Sequence, residues 1–370
     1  TKLMTALLVA ENCNLSDTVT FSQTAVSNLE SGAVTLQVKA GDTFTVKDCL
    51  YGLLLKSANE VANGLAEHVS GSVSAFADKM NEKAASLGCT HTHFANPNGL
   101  NNANHFTTAH DMALIANAAF NNATVRQVAS TLHYDFPATD SVPTVRTLTI
   151  GHKMLNPANS QYYEGIIGGK TGYTMLAGNT LVTCAEKNGM KLITVILNGH
   201  QTHYSDTKAL LDFGFSNFQS VNIAEADGTY SSVSNDMTIA GLPAADLSVL
   251  HMQKDCYVTL PKTADISDAQ SAISYELPES APPAAVARIT YQYNDRQIGA
   301  SYLLHKVAGE DSDAAVSAQA ENVEVAAASD EMSGAKVQTA SIESGGSAQD
   351  SGAEYGSDAA QSGALDGESS

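Results

Sequence analysis

At 370 residues, 43% of them apolar and 16% charged, the chain has the balance of a soluble globular protein with room for two domains and a sizeable core. Its net charge of −20 is concentrated at one end: from Val307 onward thirteen acidic residues face one lysine, which accounts for −12 of the total. That balance argues against nucleic acid as a partner, and no run approaches the ~20 apolar residues needed to span a bilayer.

In chain order, Leu3, Met4, Leu7, Leu8 and Ala10 fall on one helical stripe, so residues 1–11 predict a buried helix. The chain enters it near its first turn, with neither initiator methionine nor signal peptide before it, and is expected to be a fragment whose natural N-terminus is missing. Short β-prone runs follow at 18–21 and 34–38, with Gly32 and Gly41 marking turns. From 46 to 69 the pattern is helical again, but Ser57 and Asn59 interrupt an apolar wall of Leu50, Leu53, Leu54 and Leu55 before Val61, Leu65 and Ala66 resume it. Serine and asparagine bond to nearby backbone and fit helix interiors poorly. Either the helix breaks there and opens both side chains into one cavity, or Ser57 caps the second half.

Residues 76–87 predict another amphipathic helix, ended by Gly88. In His91-Thr92-His93-Phe94-Ala95-Asn96-Pro97-Asn98-Gly99-Leu100, Pro97 and Gly99 enforce an ordered loop. No acidic or cysteine partner stands at ligand spacing from His91 and His93, which read as polar surface residues, and no metal is assigned. Thr108 and Asp111 form a capping box for a helix through Phe120, and 144–150 reads as a strand. The five cysteines, Cys13, Cys49, Cys89, Cys184 and Cys256, lack the spacing of a zinc site or a redox dithiol. They read as small core residues, with one disulfide as the minority alternative.

Gly168-Gly169-Lys170-Thr171-Gly172-Tyr173-Thr174 follows, where two glycines free the backbone and Lys-Thr-Gly sets a cation and a hydroxyl at one spot suited to an anion. Strands at 179–185 and 190–197 flank the turn Glu186-Lys187-Asn188-Gly189, which places Lys170 on or beside a sheet edge able to pair with an extended peptide. A helix at 203–215 offers Ala209, Leu210, Leu211 and Phe213 to the sheet, and a first domain is expected to close near residue 218. Alternating runs at 229–233, 248–252, 256–260, 272–277, 286–293 and 297–305, with a hairpin turn at Asn294-Asp295-Arg296, predict a small β-sandwich over 219–306. Residues 307–370, rich in Ala, Ser, Gly, Asp and Glu, cannot bury enough surface to offset ordering and read as a disordered acidic tail.

Three signals thus stand in chain order: a lysine early in a buried helix, Ser-x-Asn between helices, and Lys-Thr-Gly before a strand. Together with Leu54-Leu55-Lys56-Ser57-Ala58-Asn59-Glu60-Val61-Ala62, Phe94 to Leu100, His105-Phe106-Thr107-Thr108-Ala109-His110-Asp111, Ala177-Gly178 and Leu210-Leu211-Asp212-Phe213-Gly214-Phe215, they resemble the low-molecular-mass penicillin-binding proteins, the serine-type D-alanyl-D-alanine carboxypeptidases. The resemblance covers residues 1–218 and extends to the β-region in outline. It implies an α+β fold, in which a β-lactamase/transpeptidase-like domain of antiparallel sheet and helices precedes the small β-sandwich. Thr1-Lys2 then resembles the end of Ser-x-Thr-Lys, so the nucleophilic serine falls two positions before Thr1, outside residues 1–370, and the strands that normally precede it are absent as well. Glu60 stands where the family commonly has aspartate, a change expected to matter little. His203 stands where arginine is frequent, which shifts the burden of holding a substrate carboxylate to Lys170 and Thr171.

The resemblance also assigns roles. Lys2 is the expected base, Ser57 the relay of a proton to the departing D-alanine, and Asn59 the holder of Lys2 and of the substrate amide. Lys170 and Thr171 receive the C-terminal carboxylate, Gly172 belongs to the same substrate-binding stretch, and the Tyr173 N–H forms half of the oxyanion hole. Without the serine the chain is expected to be inert. The implied partners are peptidoglycan stem peptides, with β-lactams as inhibitors, and the setting is extracytoplasmic, with membrane or wall association left to regions outside this chain. No cofactor is called for. The alternatives are a non-catalytic wall-binding pseudoenzyme, a D,D-endopeptidase or β-lactamase on the same fold, and, least favoured, catalysis by Thr1 itself.

Overall fold

The computed structural model describes residues 1–27, 29–226, 238–239, 242–243, 250–278 and 280–305; the predicted acidic tail and the run at 229–233 lie outside the described residues. The chain begins with helix α1 (Lys2–Asn12), strand β1 (Thr18–Thr20), the short α2 (Gln23–Val26) and β2 (Thr43–Thr45), which pairs with β1. Helix α3 (Val46–Tyr51) runs directly into a π-turn (Gly52–Lys56), followed by α4 (Asn59–Ser70), α5 (Val73–Ser86), α6 (Ala109–Asn121) and α7 (Ala123–Ser130). Strands β3 (His133–Phe136) and β4 (Arg146–Thr149) form a ribbon, and β5 (Ile166–Thr174), β6 (Gly178–Lys187) and β7 (Met190–Ile196) form an antiparallel sheet in the order β5-β6-β7. Helix α8 (His203–Asn217) leads to β8 (Phe218–Asn222), α9 (Ile223–Ala226), the pair β9 (Thr238–Ile239) and β10 (Leu242–Pro243), then β11 (Leu250–Met252), β12 (Tyr257–Pro261), β13 (Gln270–Ser274), β14 (Ala285–Tyr293) and β15 (Arg296–His305).

Helix α1 is the centre of the first core because every residue from Lys2 to Val9 is buried and all but Lys2 and Thr5 are apolar. Leu3, Met4, Leu7, Leu8 and Val9 are all buried, against neighbours that include α4, α6 and α7. The sheet packs α6 and α8 on β7, and β5 is left as an edge strand. A separate core of Ile223, Leu250, Val258, Leu260, Ala287, Ile289, Tyr291 and Leu303 joins the ribbon β8–β12 to the sheet β11-β15-β14-β13. Asn294 and Asp295 both hold positive φ, 46° and 61°, the mirror-image turn whose twist matches a two-stranded hairpin.

Three readings of the sequence need correction. Residues 34–38 form no strand; Gln37 sits at φ 57°, and the segment is instead strapped to the helices by side chains described below. The helix Ala109–Asn121 is capped by Thr108 alone: its hydroxyl accepts from Asp111 N, but the Asp111 carboxylate turns away to accept from His91 N and Thr92 Oγ1. His91 and His93 are exposed, as read from the sequence, and His93 bridges to Phe106 through backbone. On α8 it is Thr207, Leu211 and Gly214 that are buried, whereas Leu210 and Phe213 are exposed.

Candidate active site

Lys2 lies in the first turn of α1, and the apolar surroundings that fix this helix also bury its ammonium. The Nζ donates to Asn59 Oδ1 at 2.8 Å and to the Asn98 carbonyl at 2.6 Å. Burial foremost, then the charge of Lys170, lowers the Lys2 pKa to about 7, against the opposing pull of Glu60. A lysine so placed exchanges its proton near neutrality.

Its partner arrives by way of a break in the second helical run. The π-turn ends at Lys56, and Ser57 adopts the left-handed conformation, φ 64° and ψ 33°, before α4 begins at Asn59. The residue before α4 is Ala58, with no side-chain cap, so Ser57 does not cap the second helix. Non-glycine residues in this region are strained by about 1–2 kcal/mol, and such strain persists only where the surroundings fix it. Here they do. The Asn59 N–H and Nδ2 both donate to Val34 O, the Leu36 N–H donates to Glu60 Oε1 at 2.5 Å, and Arg146 Nη1 donates to Leu36 O. The strap at 34–38 thus holds the Ser-Ala-Asn turn from outside, with burial pushing the Glu60 carboxyl up.

Lys170 and Thr171 lie on the edge strand β5, opposite Val182 and Leu181. The Lys170 Nζ donates to Thr171 O at 2.7 Å, and desolvation lowers its pKa to about 8. Gly151 brings this strand to the π-turn: a Cβ there would stand 3.3 Å from Thr171 Oγ1 and 3.9 Å from Leu55 O. Gly172 and Tyr173 are exposed at the start of the β5–β6 hairpin, Tyr173 at 67%. The structure therefore joins Lys2 to Asn59 by a hydrogen bond and Lys170 to Lys2 electrostatically, while Ser57 stands beside Asn59 in the chain and Thr171, Gly172 and Tyr173 continue the strand from Lys170. His203 opens α8, packed on Tyr204 with ring centroids 4.4 Å apart.

Sequence reasoning gave no role to three residues that the geometry singles out. Asn98 offers its carbonyl to Lys2 while its side chain donates to Asn63 Oδ1 on α4 at 2.9 Å, and its Asn-Gly turn was the available signal. Glu60 anchors the strap. His152 lies wholly buried beneath Gly169, bonded to Thr183 Oγ1 at 2.7 Å and lowered to about 4 by burial, so it is neutral. Only the missing Cβ of Gly169 lets the ring fit.

Comparison with known proteins gives this geometry a family. The model of the D-alanyl-D-alanine carboxypeptidase family, peptidase S11, matches residues 1–201. The D-alanyl-D-alanine carboxypeptidase DacF of Bacillus subtilis is 30% identical over 240 residues, a match that covers 63% of this chain and 59% of the relative's length. DacB2 of Mycobacterium tuberculosis, of the same description, is 34% identical over 221 residues, 58% of this chain and 72% of its own. Penicillin binding protein 5 of Haemophilus influenzae superposes with a TM-score of 0.61 over 82% of this chain and 87% of that one at 23% identity, which shows the shared α+β fold. The chain belongs to the D-alanyl-D-alanine carboxypeptidase family.

Proposed function

We propose that the protein to which residues 1–370 belong is a serine-type D-alanyl-D-alanine carboxypeptidase that trims the terminal D-alanine from peptidoglycan stem peptides outside the cell and is acylated by β-lactams. The observation that carries this reading is Lys2: a buried ammonium held by Asn59 and Asn98, with a pKa lowered to about 7. The family membership, the relatives named for that activity and the neighbour named for penicillin binding support it.

The serine two positions before Thr1 attacks the carbonyl of the penultimate D-alanine while neutral Lys2 takes its hydroxyl proton. The peptide bond breaks, the proton passes through Ser57 to the departing amine, and an acyl-serine remains for water to hydrolyse. The Tyr173 N–H and the serine's own N–H stabilise the oxyanion, where each donor typically contributes ~10²–10³ in rate. Lys170 and Thr171 hold the terminal carboxylate. The chemistry needs no metal or cofactor bound by these residues.

The test compares two reactions of the parent protein with its serine present. Release of D-alanine from a D-Ala-D-Ala peptide is expected to outpace penicillin hydrolysis; the reverse order makes the protein a β-lactamase, and neither reaction from a folded protein makes it a binding module.

A further inference from the structure

Helices α1 and α4 both begin at the candidate active site, with Lys2 and Asn59 in hydrogen-bond contact at their first residues. They pack along each other and, with 11 and 12 residues at 1.5 Å per residue, end ~16–18 Å away. At that far end a second cluster forms that the reaction does not use. Cys13 follows the last turn of α1, His68 lies in the last turn of α4, and Asp17 lies in the loop between α1 and β1. One ligand atom from each, the thiol sulfur, a carboxylate oxygen and a ring nitrogen, all lie within 4.8 Å of one another.

We propose that Cys13, Asp17 and His68 form a divalent metal site of the zinc class that clamps the C-terminal ends of α1 and α4. A tetrahedral zinc ion with a sulfur at ~2.3 Å and nitrogen and oxygen at ~2.0–2.2 Å holds its ligand atoms ~3.4–3.6 Å apart. The side chains need close by only on the order of 1 Å to reach that geometry. The exposed His68 is placed to make the movement, and it leaves the fourth position to water. The other two are already set. Cys13 is fixed by its own N–H bonded to Val9 O, and the Asp17 backbone by Asp17 N to Asn14 O and Val46 N to Asp17 O. One Asp17 carboxylate oxygen accepts from the Asn14 N–H at 2.8 Å, the kind of outer hydrogen bond that orients a ligating carboxylate. Thiolate with imidazole selects zinc over magnesium or calcium, which take all-oxygen sets. The consequence is mechanical: an ion there fastens at one end the two helices that Lys2 and Asn59 fasten at the other.

Cobalt is the direct probe, added to the reduced full chain. Co²⁺ is expected to produce a thiolate-to-metal charge-transfer band that saturates at one equivalent in the micromolar range and is displaced by Zn²⁺. Cys13→Ser, nearly the same in shape, abolishes the band and weakens Zn²⁺ binding by more than about 100-fold, given that loss of an outer-shell partner alone costs 10–100-fold. Asp17→Asn, which keeps an acceptor for the Asn14 N–H, and His68→Ala each weaken it as well. Zn²⁺ raises the melting temperature of the unaltered chain and not that of Cys13→Ser, with the two matching in the absence of metal. A wild-type chain that gives no thiolate band, or Zn²⁺ binding that survives Cys13→Ser at full affinity, overturns the proposal.

Discussion

In the proposed reaction two lysines carry the chemistry at the scale of single residues, each brought out of water for an opposite purpose. Lys2 must be neutral to accept a proton, and its neutral fraction grows as pH rises through about 7. Lys170 must stay charged to hold a carboxylate, and that charge is lost as pH rises through about 8. Acylation of the serine-containing parent by penicillin is therefore expected to rise and then fall with pH, with limbs near these two values, measurable from rates at saturating buffer and fixed ionic strength. Lys2→Arg keeps a cation that cannot deprotonate, and is expected to lower the acylation rate by ~10²–10⁴ at every pH. Gly169 carries a different constraint. A Cβ there would overlap the His152 ring and stand 2.6 Å from Val182 O, so Gly169→Ala must push β5 off its place. A loss of ~1–3 kcal/mol in denaturant unfolding is expected, together with weaker acylation because Lys170 is the next residue.

At the scale of elements, the break at Ser57 shows strain retained where the chemistry is proposed. Ser57→Gly removes the left-handed penalty and is expected to leave the fold equally stable or up to about 1 kcal/mol more stable by urea unfolding, while the serine-containing parent loses release of D-alanine from a D-Ala-D-Ala peptide. Ser57→Ala keeps the strain and loses the hydroxyl, so it separates the two effects. That break was legible in the sequence because serine and asparagine punctured a leucine wall, a purely local signal. The strap at residues 34–38 was not. Its alternating Val34, Leu36 and Val38 read as a strand, yet long-range side chains, Glu60, Asn59 and Arg146, take its backbone groups in place of a ladder. Leu210 and Phe213 misled for a related reason: periodicity marks an apolar face, but a helix that meets the sheet through Gly214 against Leu192 leaves its bulkier neighbours outside.

Over the whole molecule, the buried residues around α1 and those between the ribbon β8–β12 and its four-stranded neighbour form distinct cores. Tyr291, 1% exposed in the latter, is expected to cost ~3–5 kcal/mol when changed to alanine, lowering the thermal midpoint without altering the rate at which the parent is acylated. The candidate site was legible as three motifs in order, since Lys2, Asn59 and Lys170 are each announced by a short local pattern. Asn98 and His152 were not, because their roles depend on which backbone lies above or beside them in space. The account's central claim is that Lys2 is a base positioned for a serine two residues before Thr1, and one measurement tests it most directly: labelling by a fluorescent penicillin of residues 1–370 and of the same chain extended upstream through that serine and the strands before it. The expected result is no label on residues 1–370, stoichiometric label on the extended chain, and loss of that label in its Lys2→Ala form. Label on residues 1–370 alone, or a folded extended chain that takes none, would contradict it.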